Sequence, residues 1–423
     1  MTATPGLLVV PDRVAIIGSG MVGLSTAWFL QEYGVQVTVL DRTGVAAGSS
    51  WGNAGWLTPG VATPLPEPAV LRYGLRAALS PSSPVYVPPS IKPTFLRFLA
   101  GFARHSTTKA WRKAMGHLVP INELSLASFD LLRSGGVRAD TRAATAFLAA
   151  YRTEAERTTL LEEIQHIHEA GQSIEFEALT GQQARALEPH LSEEVGAAIL
   201  LKGQRFIDPG RYVHALADSV RERGGKIIDG ATVSELRDTG SGVVVDTAEG
   251  SVEHFDMVVV ATGAWLGELA APFGVRNVVQ AGRGYSFSVA IDQLPAGPVY
   301  FPAQRIACTP IGDRLRVAGM MEFRKPESPL DHRRVQAIAD AASPLLHGVD
   351  FDNRQDEWVG SRPCTIDGLP LIGATKSNRV YVAGGHGMWG ITHGPVTGRL
   401  LAQTMVTGKL PEHLRPFDPL RRS

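Results

Sequence analysis

The chain has 423 residues, 44% of them apolar and 19% charged, with 41 Lys and Arg against 41 Asp and Glu. That length fits two or three domains of about 150 residues, and this balance excludes a disordered chain and offers no electrostatic case for nucleic acid. Two cysteines, Cys308 and Cys364, are too few for a disulfide scaffold and lack metal-ligand spacing, so no metal is expected. Residues 1–18 lack the basic start of a secretory signal, and no stretch reaches the about 18–20 uninterrupted apolar residues of a spanning helix. The expectation is a cytoplasmic protein, with any membrane contact peripheral at the inner face.

Residues 14–17, Val-Ala-Ile-Ile, read as a strand buried on both faces. Gly18-Ser19-Gly20-Met21-Val22-Gly23 follows at once, residues 24–33 read as a helix closed by Gly34, and residues 35–40 form a second strand ending in Asp41. Strand, glycines, helix, strand and terminal acid in one unit make up the dinucleotide fingerprint. Gly18 permits the tight turn, Gly20 lets a pyrophosphate approach the backbone, and Gly23 lets helix pack on strand. The helix start offers free N–H groups to phosphate, and Asp41 can accept from ribose hydroxyls.

Arg42 opens a long Gly/Ser/Asn loop, 42–57, where a simple NAD domain would proceed to another helix and strand. Gly48, Ser49, Ser50, Asn53, Ala54 and Gly55 are suited to track a pyrophosphate and reach a flavin ring, and Trp56 and Leu57 count with them as cofactor contacts. Residues 68–122 then carry eight basic and no acidic side chains, with aromatics interleaved over 92–113. Such a segment suits an anionic membrane surface, or it pairs with residues 154–194, which carry ten Glu and two Arg. Helices are predicted over 154–170, 212–223 and 331–346, a strand over 226–228, a hairpin over 243–247 and 252–255, and antiparallel strands within 281–320.

Two later segments repeat the strand-then-glycine grammar. Residues 256–260 run into Ala261-Thr262-Gly263-Ala264-Trp265, and residues 379–383 run into Gly384-Gly385-His386-Gly387-Met388-Trp389-Gly390-Ile391-Thr392, with a helix predicted over 394–406. Open α/β sheets bind ligands at such edges. Three of them, hundreds of residues apart, point to one large cofactor held by a discontinuous domain.

VAIIGSGMVGLSTAWFL, GSSWGNAGWLTPG, VVVATGAW, GRGYS, GSRPCTIDGLPLIG and VYVAGGHGMWGITHGPVTGRLLA, in this order from residue 14, make the chain resemble the FAD-dependent D-amino-acid oxidase superfamily. That superfamily includes glycine and sarcosine oxidases, and the likeness is nearest to the bacterial D-amino-acid dehydrogenase branch. The resemblance implies an α/β fold, α+β overall: a discontinuous Rossmann-like FAD-binding domain (1–65, 195–280 and 350–423, with Val233 among its cofactor contacts) and a substrate domain (66–194 and 281–349) built on an antiparallel or mixed sheet with helices.

The resemblance also assigns chemistry. A hydride passes from the substrate Cα to flavin N5, so catalysis is mostly alignment and desolvation. Arg362, in the Arg-Pro step, matches the residue that holds the substrate carboxylate, and the bland alternative is pairing with Asp367 or Glu357. Tyr285 is a candidate substrate wall and His386 a substrate or flavin contact. Met388 and Trp389 stand where glycine oxidase has a second carboxylate-binding Arg, so that clamp is not carried over. Sarcosine oxidases tether flavin through a Cys well before the Asp of this motif; here Gly360 holds that place, which implies non-covalent FAD.

Three functions remain open. The first is an FAD-dependent dehydrogenase of a D-amino or imino acid passing electrons to a quinone or other acceptor. The second is an oxidase releasing H2O2, and the third a flavin-bearing electron-transfer subunit of an oligomer.

Overall fold

A computed structural model describes residues 10–68 and 83–422. The first strand, β1 (Arg13–Ile17), is apolar throughout because both its faces are covered: Val14 and Ile16 point into one core cluster, Ala15 and Ile17 into another. It lies between β2 (Gln36–Asp41) and Met257–Val260 in a six-stranded sheet. The order is Lys226–Asp229, β2, β1, Met257–Val260, Val380–Gly384 and Leu371–Ala374. The first five strands run parallel and the last is antiparallel.

Helices cover one face of this sheet: α1 (Met21–Gln31), Pro209–Glu222 and Gly390–Thr407. A three-stranded antiparallel sheet over Val233–Asp238, Val243–Thr247 and Val252–Phe255 covers the other. Both predicted strands of that hairpin are present, with a third added in front.

The second layer is a nine-stranded, mostly antiparallel sheet with two parallel contacts, between Phe147–Tyr151 and Val299–Phe301 and between Val85–Tyr86 and Arg314–Phe323. Its order begins Gln355–Thr365, Val279–Val289, Arg314–Phe323, Ile306–Ile311. Ala197–Leu201 also belongs to it. The expected FAD-domain pieces 195–280 and 350–423 thus each contain a strand of this sheet, Ala197–Leu201 and Gln355–Thr365. Membership is decided by pairing partners more than sixty residues away in sequence for Gln355–Thr365, and no local pattern carries that.

Helix starts differ from expectation in a way that matters. α1 begins at Met21, directly after Gly20, and the last long helix begins at Gly390, with Pro395 inside it. A proline lacks an N–H, which made residue 394 look like a start. Both helices thus aim their N-terminal amides at the strand ends.

In the basic segment Arg72 and Arg76 lie outside the described residues. Helix Pro93–His105 buries Phe95, Phe98 and Phe102 against Val85, Phe323 and Ile366, so its apolar face is spent on the core. Trp111 is buried too, and Arg112 pairs with Glu169 at 2.5 Å, one direct link between the basic and acidic segments. Among the described residues no helix is long and apolar enough to cross a membrane.

Candidate active site

The C-terminal ends of β1, β2, Met257–Val260 and Val380–Gly384 open on one cleft of about 250 Å³. Gly18, Gly20, Met21 and Val22 form one wall. Gly18 has φ +114°, and a Cβ there would lie 2.5 Å from the Ala261 carbonyl oxygen. A Cβ at Gly23 would lie 1.9 Å from the Gly18 carbonyl oxygen, so Gly23 serves helix–strand packing and stays out of the cleft. At Gly20 the nearest atom to a Cβ is Ser50 Oγ, at 3.2 Å. No side chain caps α1, although Met21 N donates to Ser50 Oγ at 3.2 Å, and the first-turn amides face the cleft with the positive end of the helix.

Asp41 lines the cleft at the end of β2. Its Oδ2 accepts from Ser19 N at 2.8 Å, and its Oδ1 from Thr43 N and Gly44 N at 2.9 and 3.0 Å. These bonds fix the carboxylate's orientation while leaving lone pairs for ribose hydroxyls. Arg42 lies 3.8 Å over the Trp265 ring, whose indole N–H donates to Glu327. Replacing Asp41 by Ala should weaken FAD binding by about tenfold, the loss of one or two hydrogen bonds, measurable by titrating apoprotein with FAD.

Of the long loop, Gly48, Ser49, Ser50 and Asn53 line the cleft, as do Val233, Ala261, Thr262, Gly263 and Trp265. Ala54, Gly55, Trp56 and Leu57 do not. Asn53 Oδ1 accepts from Gly55 N at 2.8 Å, which turns the chain away. The Trp56 indole then donates to Thr309 Oγ1 at 2.9 Å, with its ring edge-on to Phe147 and Tyr300. Beyond the third glycine edge, Gly387, Met388, Gly390 and Ile391 line the cleft, whereas Gly385 is packed beneath Thr365 and Leu371. Trp389 leaves to donate to Thr63 O at 2.7 Å, and Thr392 donates to Trp56 O at 2.9 Å. Thr232, which leads into the three-stranded sheet, and Glu268 and Leu269, on the short helix Leu266–Ala270, also line the cleft and were missed. Two hydroxyls buried at this cradle, Ser19 Oγ and Thr262 Oγ1, have no hydrogen-bond partner among the described residues. Orphaned donors beside a glycine cradle fit a large polar cofactor. Burial pushes the Cys364 thiol up to about 12, far from a reactive thiolate.

Arg362 lines the same cleft from the second sheet. Its Nη1 donates to Met320 O at 2.7 Å, and no carboxylate among the described residues comes within ion-pair distance. Both suspected partners are taken. Asp367 holds Arg421 at 2.8 and 3.0 Å, and Glu357 holds His332 at 2.6 Å and Arg354 at 3.4 Å. Burial pulls the guanidinium's pKa down, yet a guanidinium does not give up its proton, so a desolvated cation is left facing the cleft. Its side chain lies where a Cβ of Gly284 would be, 2.2 to 2.5 Å from the guanidinium atoms. Gly284→Ala should displace it and weaken carboxylate binding by about 10- to 100-fold with FAD content unchanged, as read by inhibitor titration of the holoprotein.

Tyr285 does not reach the cleft. It is fully buried in the core of the second sheet, its hydroxyl donating to Glu322 Oε2 at 2.6 Å. His386 contributes to the lining, but its ring is buried with Nε2 2.9 Å from Thr397 Oγ1. His393 Nε2 lies 2.6 Å from Asn122 Oδ1. Burial depresses both imidazoles to about 3, and for His393 the neighbouring His386 adds to it. An unfolded histidine takes a proton below about 6.5, so between that value and about 3 the unfolded chain binds more protons than the native one. Stability should therefore be fully present above pH 6.5 and fall as pH drops below it, seen as a declining Tm in thermal unfolding. A Tm that rises on acidification from neutrality would contradict this.

A Rossmann-type cradle joined to an antiparallel sheet that delivers one cation to the same cleft defines a flavin-dependent oxidoreductase fold. Residues 13–404 match DAO, the FAD dependent oxidoreductase family, and the chain belongs to it. FAD is its cofactor. It is 31% identical over 409 residues to a D-amino acid dehydrogenase of Cereibacter sphaeroides, covering 95% of this chain and 93% of that one. Identity to a D-amino acid dehydrogenase of Xanthobacter autotrophicus is 30% over 414 residues, covering 95% and 96%. Among solved structures, glycine oxidase from Geobacillus kaustophilus superposes with TM-score 0.75 at 24% identity, covering 98% of this chain and 99% of that one. FAD-bound L-alpha-glycerophosphate oxidase from Mycoplasma pneumoniae gives 0.71 at 18%, covering 95% of each. At these identities the superpositions speak for the fold.

Proposed function

We propose that the protein oxidises a D-amino acid or related imino acid to the imino product, which hydrolyses to the 2-oxo acid, and that the electrons pass to a quinone or other acceptor. The observation that carries this reading is Arg362, a half-buried cation without an acid partner among the described residues, placed in the FAD cleft. A substrate carboxylate supplies the missing anion and is held in a two-point grip. The names of the sequence relatives supply the D-amino acid class.

FAD, when bound, supplies the two-electron acceptor. Gly18, Gly20, Asp41, Ser50 and Thr262 would hold it, and the amides at the starts of α1 and Gly390–Thr407 would favour its negative charges. Arg362 fixes the carboxylate and thereby the Cα, while the apolar side chain of Met388 helps keep water out. His386, the only cleft residue among those described whose ordinary pKa lies near neutrality, stays neutral with its pKa at about 3. The substrate's ammonium proton is therefore lost to water and not to this imidazole. kcat/KM should rise with pH along the titration of the substrate amine and shift between substrates of different amine pKa. A fixed limb near 6.5 that vanishes in His386→Asn would overturn that account.

The test is anaerobic titration of the purified yellow protein with D-, L- and N-methyl amino acids. Bleaching of the flavin band near ~450 nm by D-amino or imino acids, with slow reoxidation in air, is the expected result. Bleaching by L-amino acids alone refutes the substrate class, and rapid reoxidation with peroxide makes the protein an oxidase.

The same reading puts any contact with a membrane-bound acceptor on Ile91 and Leu96, 93% and 49% exposed, beside the exposed Lys92, Arg97 and Arg104. Binding to anionic vesicles that disappears on charge reversal of Arg97 and Arg104 is the result this contact requires.

A further inference from the structure

Arg362 sits on strand Gln355–Thr365, opposite Gly282 of Val279–Val289. Between Val279–Val289 and Arg314–Phe323 the register slips: Arg283 faces Glu322 and Tyr285 faces Gly319. Met320 and Met321 therefore stand opposite Gly284 alone, a β-bulge. Met320 has φ +67°, a left-handed conformation that a methionine adopts only under outside constraint. The bulge does two things for Arg362. It turns the Met320 carbonyl to accept from Nη1 at 2.7 Å, and it lies across from the one residue whose missing Cβ makes room for the guanidinium.

The constraint has visible sources. Glu322, fully buried just after the bulge, accepts from Tyr285 Oη at 2.6 Å, with Arg283 Nη1 at 3.5 Å and Arg324 Nε at 2.7 Å. From helix His332–Ala342, buried Arg334 donates to Ser83 O at 3.1 Å and lies 3.3 Å from Met320 Sδ, stacked 5.6 Å over both Tyr285 and Tyr86. Met321 N donates to Pro84 O at 2.7 Å.

We propose that Tyr285, Glu322 and Arg334 are positioning residues for the substrate carboxylate: they hold the Met320–Met321 bulge in its left-handed turn, and the bulge aims Arg362. Tyr285 thus serves the site without touching substrate, acting through Glu322 and the backbone of Met320. The inference rests on the reading of Arg362 as the carboxylate clamp.

The test measures binding, without turnover. Benzoate, a plain monocarboxylate, is titrated into holoprotein by calorimetry, and FAD into apoprotein by flavin fluorescence. Tyr285→Phe removes one hydrogen bond and no charge, and should weaken benzoate binding about 5- to 30-fold with FAD affinity within twofold of the parent. Arg334→Lys, which keeps the charge and loses the planar stacking, should do the same about 3- to 10-fold. In a Met320→Gly background, where the left-handed turn needs no outside hold, Tyr285→Phe should cost less than threefold. Benzoate affinity unchanged in both Tyr285→Phe and Arg334→Lys overturns the proposal, and so does a parallel loss of FAD affinity. If Arg362→Lys leaves benzoate binding intact, the clamp reading itself fails, whatever Tyr285 does.

Discussion

Arg362→Ala should leave a yellow protein with normal FAD content and a kcat/KM reduced by about two to four orders of magnitude. Removing one partner of a desolvated charge pair costs about 3–5 kcal/mol, because the substrate carboxylate is then stripped of water with nothing to meet it. Most of the loss should be carried by substrate affinity, with a further part in kcat, since the same two bonds orient the Cα for transfer. Arg362→Lys should recover only part of it: the charge returns, but the fork that reaches both oxygens and the Met320 carbonyl does not. Steady-state kinetics normalised to flavin content decide the matter. A variant with unchanged kcat/KM would mean that the carboxylate binds elsewhere.

Gly23→Ala should be the most damaging single change to cofactor retention. The added Cβ meets the Gly18 carbonyl oxygen at 1.9 Å and its carbon at 3.1 Å, both backbone atoms that no rotamer change can move. Relief requires α1 to shift off β1, which displaces the helix start and the Gly18 turn together. Overpacking typically costs about 1–3 kcal/mol, and a backbone-on-backbone clash belongs at the upper end or beyond. The expected product is apoprotein with a Tm lowered by several degrees. Gly20→Ala is the contrast. Its Cβ meets only Ser50 Oγ, at 3.2 Å, so folding should survive while FAD binding weakens. Equal flavin content in the Gly23→Ala variant and the parent would refute the packing role.

What could be read from the chain alone was what is local. The Gly18–Gly23 turn, Asp41 and the apolar strands carry their meaning within about thirty residues, and each is placed as its pattern implied. Arg362 was singled out by its Arg-Pro step and does line the cleft, yet its lack of an acid partner among the described residues could not be read. That depended on Asp367 being engaged by Arg421, fifty-four residues further on. Tyr285 was misread as a substrate wall because its surroundings come from Glu322 across a sheet and Arg334 on a helix, neither near it in sequence. The phenylalanines of 92–113 read equally well as a membrane face or a core face, and only the tertiary partners Val85, Phe323 and Ile366 separate the two. Helix Thr108–Ser134 went unrecognised because Pro120 interrupts its pattern.

The central sheet orders its strands so that β1 waits for partners made much later. β1 gains one neighbour at residues 257–260, and that strand is flanked in turn by residues 380–384. A ribosome working from the N-terminus thus releases the glycine turn long before the walls that close around it. The nucleotide cradle is synthesised well before the strands that complete it, and is among the last pieces of architecture finished. Flavin capture becomes a post-translational event, and a chain truncated anywhere before the last glycine edge should accumulate without colour, however well its early residues fold.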